Sequence, residues 1–234
     1  MSYEQENTST SFRKSIIEAH KNNIEAFALF QQYIRNFFES PSLSKYVHSV
    51  RHRIKDIDHL IEKIERKNRQ DRLLPQDKQK GEINSSNLFN RITDIAGVRV
   101  LHLHSSQMEH IHASIMSKIN DEEFVLVEPP IAYTWDIDSR HFFENIGIET
   151  MIKESYYTSI HYVLRPNSKS IATCEVQVRT LLEETWGEID HTMNYPHQTN
   201  DRYCTEQLKI FAKLIGAGTH LADSIMKEHH GQAF

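Results

Sequence analysis

The stretch CEVQVRT, residues 174–180, places three polar side chains of different chemistry on one face of a predicted strand. Side chains along a strand alternate between two faces, so Glu175, Gln177 and Arg179 point to the side opposite the two valines. A carboxylate can hold a metal or accept a proton, and a guanidinium can bind a phosphate. The same alternation is typical of an antiparallel sheet with one solvated side, so the strand alone leaves both interpretations open.

Residues 51–80 form a basic segment in a protein that is acidic as a whole. The segment holds ten Lys and Arg against six Asp and Glu, whereas the 234-residue chain has a formal net charge of −5. Within it, a helix-like run presents Lys63, Arg66 and Lys67 opposite an apolar stripe. Such a segment indicates a specific anionic ligand and argues against a general nucleic-acid coat. A solvated helix face is the alternative for these cations.

The composition predicts a cytoplasmic, globular protein. Its apolar fraction of 38% and charged fraction of 25% are typical of a soluble domain. No apolar run approaches the roughly 20 residues that span a bilayer, so no membrane association is expected. The two cysteines and the polar first residues indicate a reduced, cytosolic chain. The fifteen histidines lack the spacing of zinc ligands, so no structural zinc site is expected.

Periodicity predicts helices on both sides of a region of strands. Apolar residues recur at helical spacing before residue 40, between 57 and 64, and between about 204 and 226. From Asp94 onward, alternating β-branched segments indicate strands, interrupted by an irregular insertion at 129–149. Thr180 and Glu183 have the spacing of a capping box at the start of another helix. The predicted fold class is α+β, with a central mixed β-sheet flanked by helices.

Four separated motifs stand out, in the order RIKDIDHLIEKIERK, RITDIAGVRV, KESYYTSIHYVL and EVQVRTLLEETWGEIDHTMNYP. Together they resemble the synthetase domain of the RelA/SpoT family, enzymes that move a pyrophosphate from ATP to the 3′-hydroxyl of GDP or GTP. The resemblance implies a nucleotidyltransferase-like synthetase domain at 46–200, an N-terminal helical segment at 1–45 and a C-terminal helix at 201–234. The His-Asp pair of the family's hydrolase half is missing, so the chain is similar to the small, synthetase-only members of the small alarmone synthetase type.

The resemblance implies roles for the charged residues of these motifs. Pyrophosphoryl transfer places negative charge on several phosphate oxygens, so cations must surround them. Asp94 and Glu175 are expected to hold Mg²⁺, Glu175 also to accept the proton of the attacking hydroxyl, and Arg99 to add positive charge as a third catalytic residue. The cations expected to bind ATP are Arg53, Lys55, Lys63, Arg66 and Lys67.

The acceptor side is implied by the same resemblance. Tyr157 corresponds to the family tyrosine on which the acceptor purine stacks, and His161 lies on the same strand face. The residues expected to bind the acceptor are Lys153, Tyr157, His161, Gln177, Arg179 and Asn194. On the following helix, the family's ending E-H-x-x-N-Y is matched by Asp190, His191, Asn194 and Tyr195, with Asp in place of Glu.

Two departures from the family pattern border the predicted acceptor site. Tyr156 stands where the family usually has Gly, and Glu184 stands where it often has a polar, uncharged residue. We expect the extra ring and carboxylate to reshape the site or repel GDP. If the backbone at Tyr156 is extended, its ring lies beneath the site; if it is still in a turn that suits Gly, the ring narrows the pocket.

Three functions remain open on the sequence. The first is synthesis of (p)ppGpp from ATP and GDP or GTP. The second is the same transfer to another acceptor, the 3′ end of tRNA or an adenosine nucleotide, as in toxin-type relatives. The third is a non-catalytic, nucleotide-sensing module, against which the retention of both Asp94 and Glu175 argues. The expected partners are therefore ATP and GDP or GTP, with tRNA as the alternative acceptor, and a homo-oligomer is left open.

Overall fold

A computed structural model describes residues 3–194, 199–229 and 231, with side chains from residue 11 onward. Six strands form one mixed sheet in the order β1-β2-β6-β5-β3-β4. The strands are β1 Ser49–Ile54, β2 Ala96–His102, β3 Val125–Thr134, β4 Glu149–Ile152, β5 Ser159–Arg165 and β6 Cys174–Thr180. The helices are α1 Tyr3–Phe38, α2 Ile57–Arg72, α3 Leu88–Arg91, α4 Gln107–Asn120, α5 Ile137–Asn145, α6 Leu181–Asn194 and α7 Arg202–His229. The predicted α+β class is confirmed.

The centre of the sheet is formed by β2, β6 and β5. β2 and β6 run parallel, with Gly97 opposite Glu175 and Arg99 opposite Gln177. β5 and β6 are antiparallel neighbours, as expected for two strands joined by a short turn. β1 pairs with β2 in antiparallel fashion and places Arg51 directly opposite Arg99. Polar side chains from three adjacent strands are thereby brought onto one face.

The opposite face of these strands is part of the hydrophobic core. Val98, Val100, Val176 and Val178 are fully buried there, as the period of two predicts. The long helix α1 lies against β1, β2 and β6. Its Gln31 side chain donates to the carbonyl oxygens of residues 53 and 97, at 2.5 and 3.0 Å. These two bonds tie the helix to the backbone beneath the polar face.

The predicted irregular insertion at 129–149 is wrong. β3 continues through Pro129 and Pro130 to Thr134, and α5 and β4 follow. β4 pairs with β3 only from Ile131 onward, and irregularities in the β3–β5 register surround the prolines. Proline lacks a backbone donor and is tolerated on an unpaired edge or at a bulge, so it did not end the strand here.

The capping box at the start of α6 is confirmed. The Thr180 backbone N–H donates to Glu183 Oε2 at 2.8 Å, and the Glu183 N–H donates to Thr180 Oγ1 at 3.2 Å. The two bonds satisfy donors that a helix start otherwise leaves open. They also set the point at which the chain turns from β6 into α6, and hence where the polar side chains of α6 lie.

Among the described residues, no helix is both long and apolar enough to cross a membrane.

Candidate active site

The polar face of β1, β2 and β6 is the floor of an open cavity of about 250 Å³. The strands contribute Glu175 and Gln177 from β6, Arg99 from β2, and two arginines from β1. The full lining is Arg51, His52, Arg53, Asp94, Gly97, Val98, Arg99, Glu175, Gln177, Glu188 and His191. Two of the three polar residues of CEVQVRT, Glu175 and Gln177, therefore face a cavity, whereas Arg179 is buried and does not line it.

Asp94 lies just before β2, between two lysines from other elements. The ammonium groups of Lys55 and Lys63 each lie 2.6 Å from its Oδ2 atom. Burial by itself would raise the pKa of Asp94, but the charges of Lys63 and Lys55 outweigh it and lower the pKa to about 2. The other oxygen, Oδ1, is buried and has no hydrogen-bond partner. An ionised carboxylate with one unused oxygen fits a hard cation such as Mg²⁺.

Glu175 is held by its neighbours on the same sheet face. Gln177 Nε2 donates to Glu175 Oε2 at 2.8 Å, and His161 Nδ1 lies 3.4 Å from Oε1. Burial would raise the pKa of Glu175, but the hydrogen bond and charge of His161 lower it overall, against a smaller opposing effect from Asp94. Both carboxylates are therefore ionised at neutral pH. Two like charges lining one cavity favour a cation between them.

Four of the five cations predicted to bind ATP line a second cavity, which shares Arg53, Asp94 and His191 with the first. These four are Arg53, Lys55, Lys63 and Arg66. Lys67 lies apart from them, and its ammonium donates to the Arg91 carbonyl at 3.3 Å. Burial and the Lys63 charge lower the pKa of Lys67. The structure thus brings four of the five together beside Asp94 and leaves Lys67 as part of the support of α2.

Three of the residues predicted to bind the acceptor, Lys153, Tyr157 and His161, form a connected set that reaches Glu175, although none of the three lines the two cavities. The Tyr157 hydroxyl lies 2.9 Å from His161 Nε2, and the other ring nitrogen of His161, Nδ1, lies 3.4 Å from Glu175 Oε1. The Lys153 ammonium lies 4.5 Å from the centre of the Tyr133 ring, whose edge contacts His161. Burial raises the pKa of Tyr157.

Residues 52–200 match the family model described as the region found in RelA / SpoT proteins, which is more than half of the chain. The chain belongs to the RelA/SpoT family. A search of curated proteins by sequence found no significant match.

Solved structures with the same fold include small alarmone synthetases. Small alarmone synthetase 1 from Bacillus subtilis has a TM-score of 0.60 at 18% identity, over 92% of this chain and 96% of that one. A protein from Streptococcus mutans UA159 gives 0.61 at 18% identity, over 90% and 95%. A GTP pyrophosphokinase family protein from Streptococcus pneumoniae gives 0.56 at 20% identity, over 97% and 95%. The expected family and the synthetase-type fold are confirmed.

The family departure at Tyr156 takes an unusual backbone conformation. Its φ angle is 65°, a left-handed value that suits the usual Gly, so the turn alternative describes the backbone correctly. The ring, however, lies 5.0 Å from the Trp135 ring and lines a separate small cavity beside α6 and α7. The ring is therefore not among the residues that line the floor cavity, and its effect on the acceptor stays a prediction.

The second departure, Glu184, does not present a free negative charge to a nucleotide. Its side chain is only 3% exposed, and it pairs with Arg51, Arg99 and Arg179. These ion pairs oppose the expected repulsion, and the effect of Glu184 on the acceptor stays a prediction. Three guanidinium groups surround it, so the local charge remains positive.

The end of α6 lies partly outside the described residues. Asn194 donates from Nδ2 to Asp190 Oδ1 at 2.8 Å and accepts from the Thr199 N–H at 3.1 Å. Asn194 therefore bridges the residues on either side of 195–198, and it is not among those that line the two cavities. Tyr195, part of the matched motif, lies outside the described residues. The acceptor role of Asn194 stays a prediction.

Sequence reasoning missed two charged residues of the floor cavity, Arg51 and Glu188. Arg51 precedes Arg53 by two positions on the same strand, so the period of two could have identified it. Glu188 follows Glu184 by one helical turn and pairs with Arg99. The helical spacing was visible, but nothing in the sequence showed that α6 lies over this face.

Proposed function

We propose that this protein transfers the terminal pyrophosphate of ATP to the 3′-hydroxyl of GDP or GTP and so makes (p)ppGpp. In this reaction the bond between the α- and β-phosphates of ATP breaks, AMP leaves, and the acceptor hydroxyl loses its proton. The observation that carries the proposal is a pair of ionised carboxylates beside clustered cations: Asp94 lines both cavities, and Glu175 lines the floor cavity.

The carboxylates have separate tasks in this proposal. Asp94 Oδ1, which has no hydrogen-bond partner, and Glu175 would hold a magnesium ion. Such an ion supplies charge neutralisation to the phosphates and orients them. Glu175 is also oriented by Gln177 and His161, so one of its oxygens can accept a hydrogen bond and then the proton from the acceptor hydroxyl.

The donor and the acceptor are proposed to occupy different cavities. The cavity beside α2 carries Arg53, Lys55, Lys63 and Arg66, and it suits the polyphosphate of ATP. The floor cavity, with Arg99 and Gln177, is next to Tyr157 and His161 and suits the acceptor nucleotide. The Bacillus subtilis small alarmone synthetase 1 has been solved bound to AMPCPP and bound to its product pppGpp, which supports nucleotide substrates for this fold.

The experiment is a transfer assay with separate acceptors. The purified protein is incubated with magnesium and ATP labelled in the β-phosphate, and GDP, GTP, AMP or tRNA is added singly. The expected result is that GDP or GTP becomes labelled and that one AMP is released for each pyrophosphate transferred. If only tRNA or AMP becomes labelled, that molecule is the acceptor and the proposed guanosine nucleotide is not. If the protein binds ATP but labels no acceptor, the result favours a nucleotide sensor.

The matched control is Glu175→Gln, which is nearly isosteric and lies on a polar face. It should retain the fold and lose transfer, because the amide can neither accept the proton nor supply a charged metal ligand. Transfer by this variant at the wild-type rate would contradict the mechanism.

A further inference from the structure

Tyr156 lies in the loop of residues 153–158, which joins β4 to β5 and carries two of the residues expected to bind the acceptor, Lys153 and Tyr157. The φ angle of Tyr156, 65°, is in the left-handed region, which a Cβ atom disfavours and which Gly adopts without strain. A strained residue of this kind persists only where the surrounding structure holds it. The contacts of the Tyr156 side chain show what holds it here.

The Tyr156 ring packs against Trp135, which directly follows β3. The two ring centres are 5.0 Å apart at an interplanar angle of 52°. Together the rings line a cavity of about 20 Å³, which has room for little more than one water molecule, so they have little space to move. Tilted aromatic pairs of this kind are stabilised beyond the area that they bury. The strained turn is therefore held by a packed aromatic contact.

α7 forms another side of this aromatic pair. Three of its residues line the same small cavity: Ala212, Ile215 and Gly216. A Cβ atom at Gly216 would lie 3.3 Å from Trp135 Cζ2, so the missing side chain lets the helix approach the ring this closely. Next to Trp135, Asp136 pairs with His220 of α7 at 3.0 Å. The end of β3, and through it Tyr156, is thereby held against α7.

The first half of the loop is held by its backbone. The Lys153 N–H donates to the Thr134 carbonyl at 3.1 Å, and the Tyr156 N–H donates to the Lys153 carbonyl at 3.2 Å. Tyr157 follows directly, and its hydroxyl lies 2.9 Å from His161 Nε2. Because the backbone torsions at position 156 set the direction in which the next side chain leaves the loop, the position of the Tyr157 ring depends on the conformation of Tyr156. A Gly at 156 would permit the same turn but would bring no ring to hold it.

We propose that Tyr156 and Trp135 are positioning residues, whose ring contact holds the loop against α7 and so fixes Tyr157 in the orientation in which it stacks on the acceptor base. The proposal rests on the proposed function for its ligand, a guanosine nucleotide. It adds that this chain, with Tyr where relatives usually have Gly, orders the loop before the acceptor arrives, which lowers the entropy cost of binding. In this role neither Tyr156 nor Trp135 contacts the nucleotide.

The first test needs no nucleotide. Hydrogen–deuterium exchange of residues 149–158, followed by mass spectrometry, is compared between the wild type, Tyr156→Ala and Tyr156→Phe. Tyr156→Ala keeps a side chain in the left-handed turn but removes the ring, so these amides should exchange about tenfold faster, whereas Tyr156→Phe keeps the ring and should exchange like the wild type. Tyr203→Ala, which removes an exposed ring from α7, is the control. Unchanged exchange in Tyr156→Ala would overturn the proposal.

Gly216→Ala tests the same contact from the side of α7. Alanine is a better helix former than glycine, so this variant should fold, while its methyl group pushes the Trp135 ring. Exchange of residues 149–158 should therefore become faster although the helix itself is favoured. Gly218→Ala is the matched control, because a Cβ atom there would meet Leu182 Cδ1 at 3.4 Å and not Trp135. Equal exchange in the two glycine variants would contradict the connection of the loop to α7.

The second test is equilibrium binding measured by calorimetry, without turnover. GDP and guanosine should each bind about tenfold more weakly to Tyr156→Ala than to the wild type, because the loss concerns stacking of the base. Tyr156→Phe should retain both affinities, and the affinity for ATP should stay the same in both variants. An equal loss of ATP affinity would indicate a merely structural role and overturn the proposal, as would unchanged GDP affinity.

Failure of this proposal can be distinguished from failure of the proposed function. A wild-type protein that transfers pyrophosphate to no guanosine nucleotide contradicts the proposed function, whereas the exchange experiment still decides whether the ring pair holds the loop. If the transfer assay labels tRNA or AMP instead, that acceptor takes the place of GDP in the binding experiment.

Discussion

Asp94→Asn should reduce both stability and activity, because Asp94 is the counter-charge of two lysines. Lys55 and Lys63 each lie 2.6 Å from one of its oxygens, and the three side chains are mostly buried. Asparagine has nearly the same shape but no charge. The variant therefore leaves two ammonium groups close together without their shared anion, and burial lowers the pKa of Lys55 further once Asp94 no longer opposes it.

The size of the effect follows from the pKa of Asp94. That pKa is lowered from 3.8 to about 2 in the folded protein. Each unit of difference between the folded and unfolded states is worth about 1.4 kcal/mol, so the ionised carboxylate contributes roughly 2.5 kcal/mol to the free energy of unfolding. Since the folded pKa is the lower one, this contribution is complete above pH 3.8 and is lost as the pH falls through about 2.

The assay is urea-induced unfolding, followed by circular dichroism, of the wild type and Asp94→Asn at several pH values. Near neutral pH the variant should be less stable by about 2 to 3 kcal/mol, and the difference should shrink toward zero as the pH approaches 2. Transfer activity at neutral pH should be lost in parallel, because the proposed magnesium ligand is gone. Glu206→Gln, at a surface pair, serves as the control and should show little change. A stability difference that does not depend on pH would refute the assignment of the ion pairs.

The remaining predictions concern the two nucleotides. Arg66→Ala should raise the Michaelis constant for ATP more than that for GDP, since Arg66 lines the cavity proposed for ATP. Arg69→Ala, on the same helix, serves as the control. A rise in the Michaelis constant for GDP alone would mean that the donor and acceptor cavities have been assigned the wrong way round. Tyr157→Ala should reduce acceptor affinity about tenfold in equilibrium binding, since stacking of a base on an aromatic ring is worth about 1 to 3 kcal/mol. Tyr156→Gly should leave the ratio of kcat/KM for GDP and GTP unchanged, because the Tyr156 ring contacts Trp135 away from the floor cavity; a changed ratio would show that the ring reaches the acceptor.

Much of the site could be predicted because its residues share short, periodic elements. The alternation in CEVQVRT correctly placed Glu175 and Gln177 on one face, since the backbone of a strand dictates that period. The cations of α2 were expected from the helical spacing of its apolar stripe. The two prolines of β3 were read as the beginning of an irregular segment, because their effect depends on whether a neighbouring strand needs their N–H, which only the sheet order reveals.

The tertiary structure places two other predicted site residues away from the two cavities. Lys67 is on the predicted helix but contacts a backbone carbonyl, and Asn194 bridges the chain around the end of α6. Both had the expected residue type at the expected spacing. Their positions relative to the cavities depend on the rotation of each helix against the sheet, which a motif does not specify.

The sequence by itself identified the family, through the resemblance of four motifs in their order. It also determined the α+β class and the polar row of β6, because these depend on residue type and on periods of two and 3.6 within single elements. Only the tertiary structure decided which charges meet. Asp94 and Lys63 are 31 residues apart, and Arg51 and Glu184 are 133 residues apart. Whether a carboxylate in such a pair faces the cavity or is enclosed by cations depends on burial and on distances of a few ångströms. Those are set by how closely α6 and α2 approach the sheet, and that approach is a property of the assembled core.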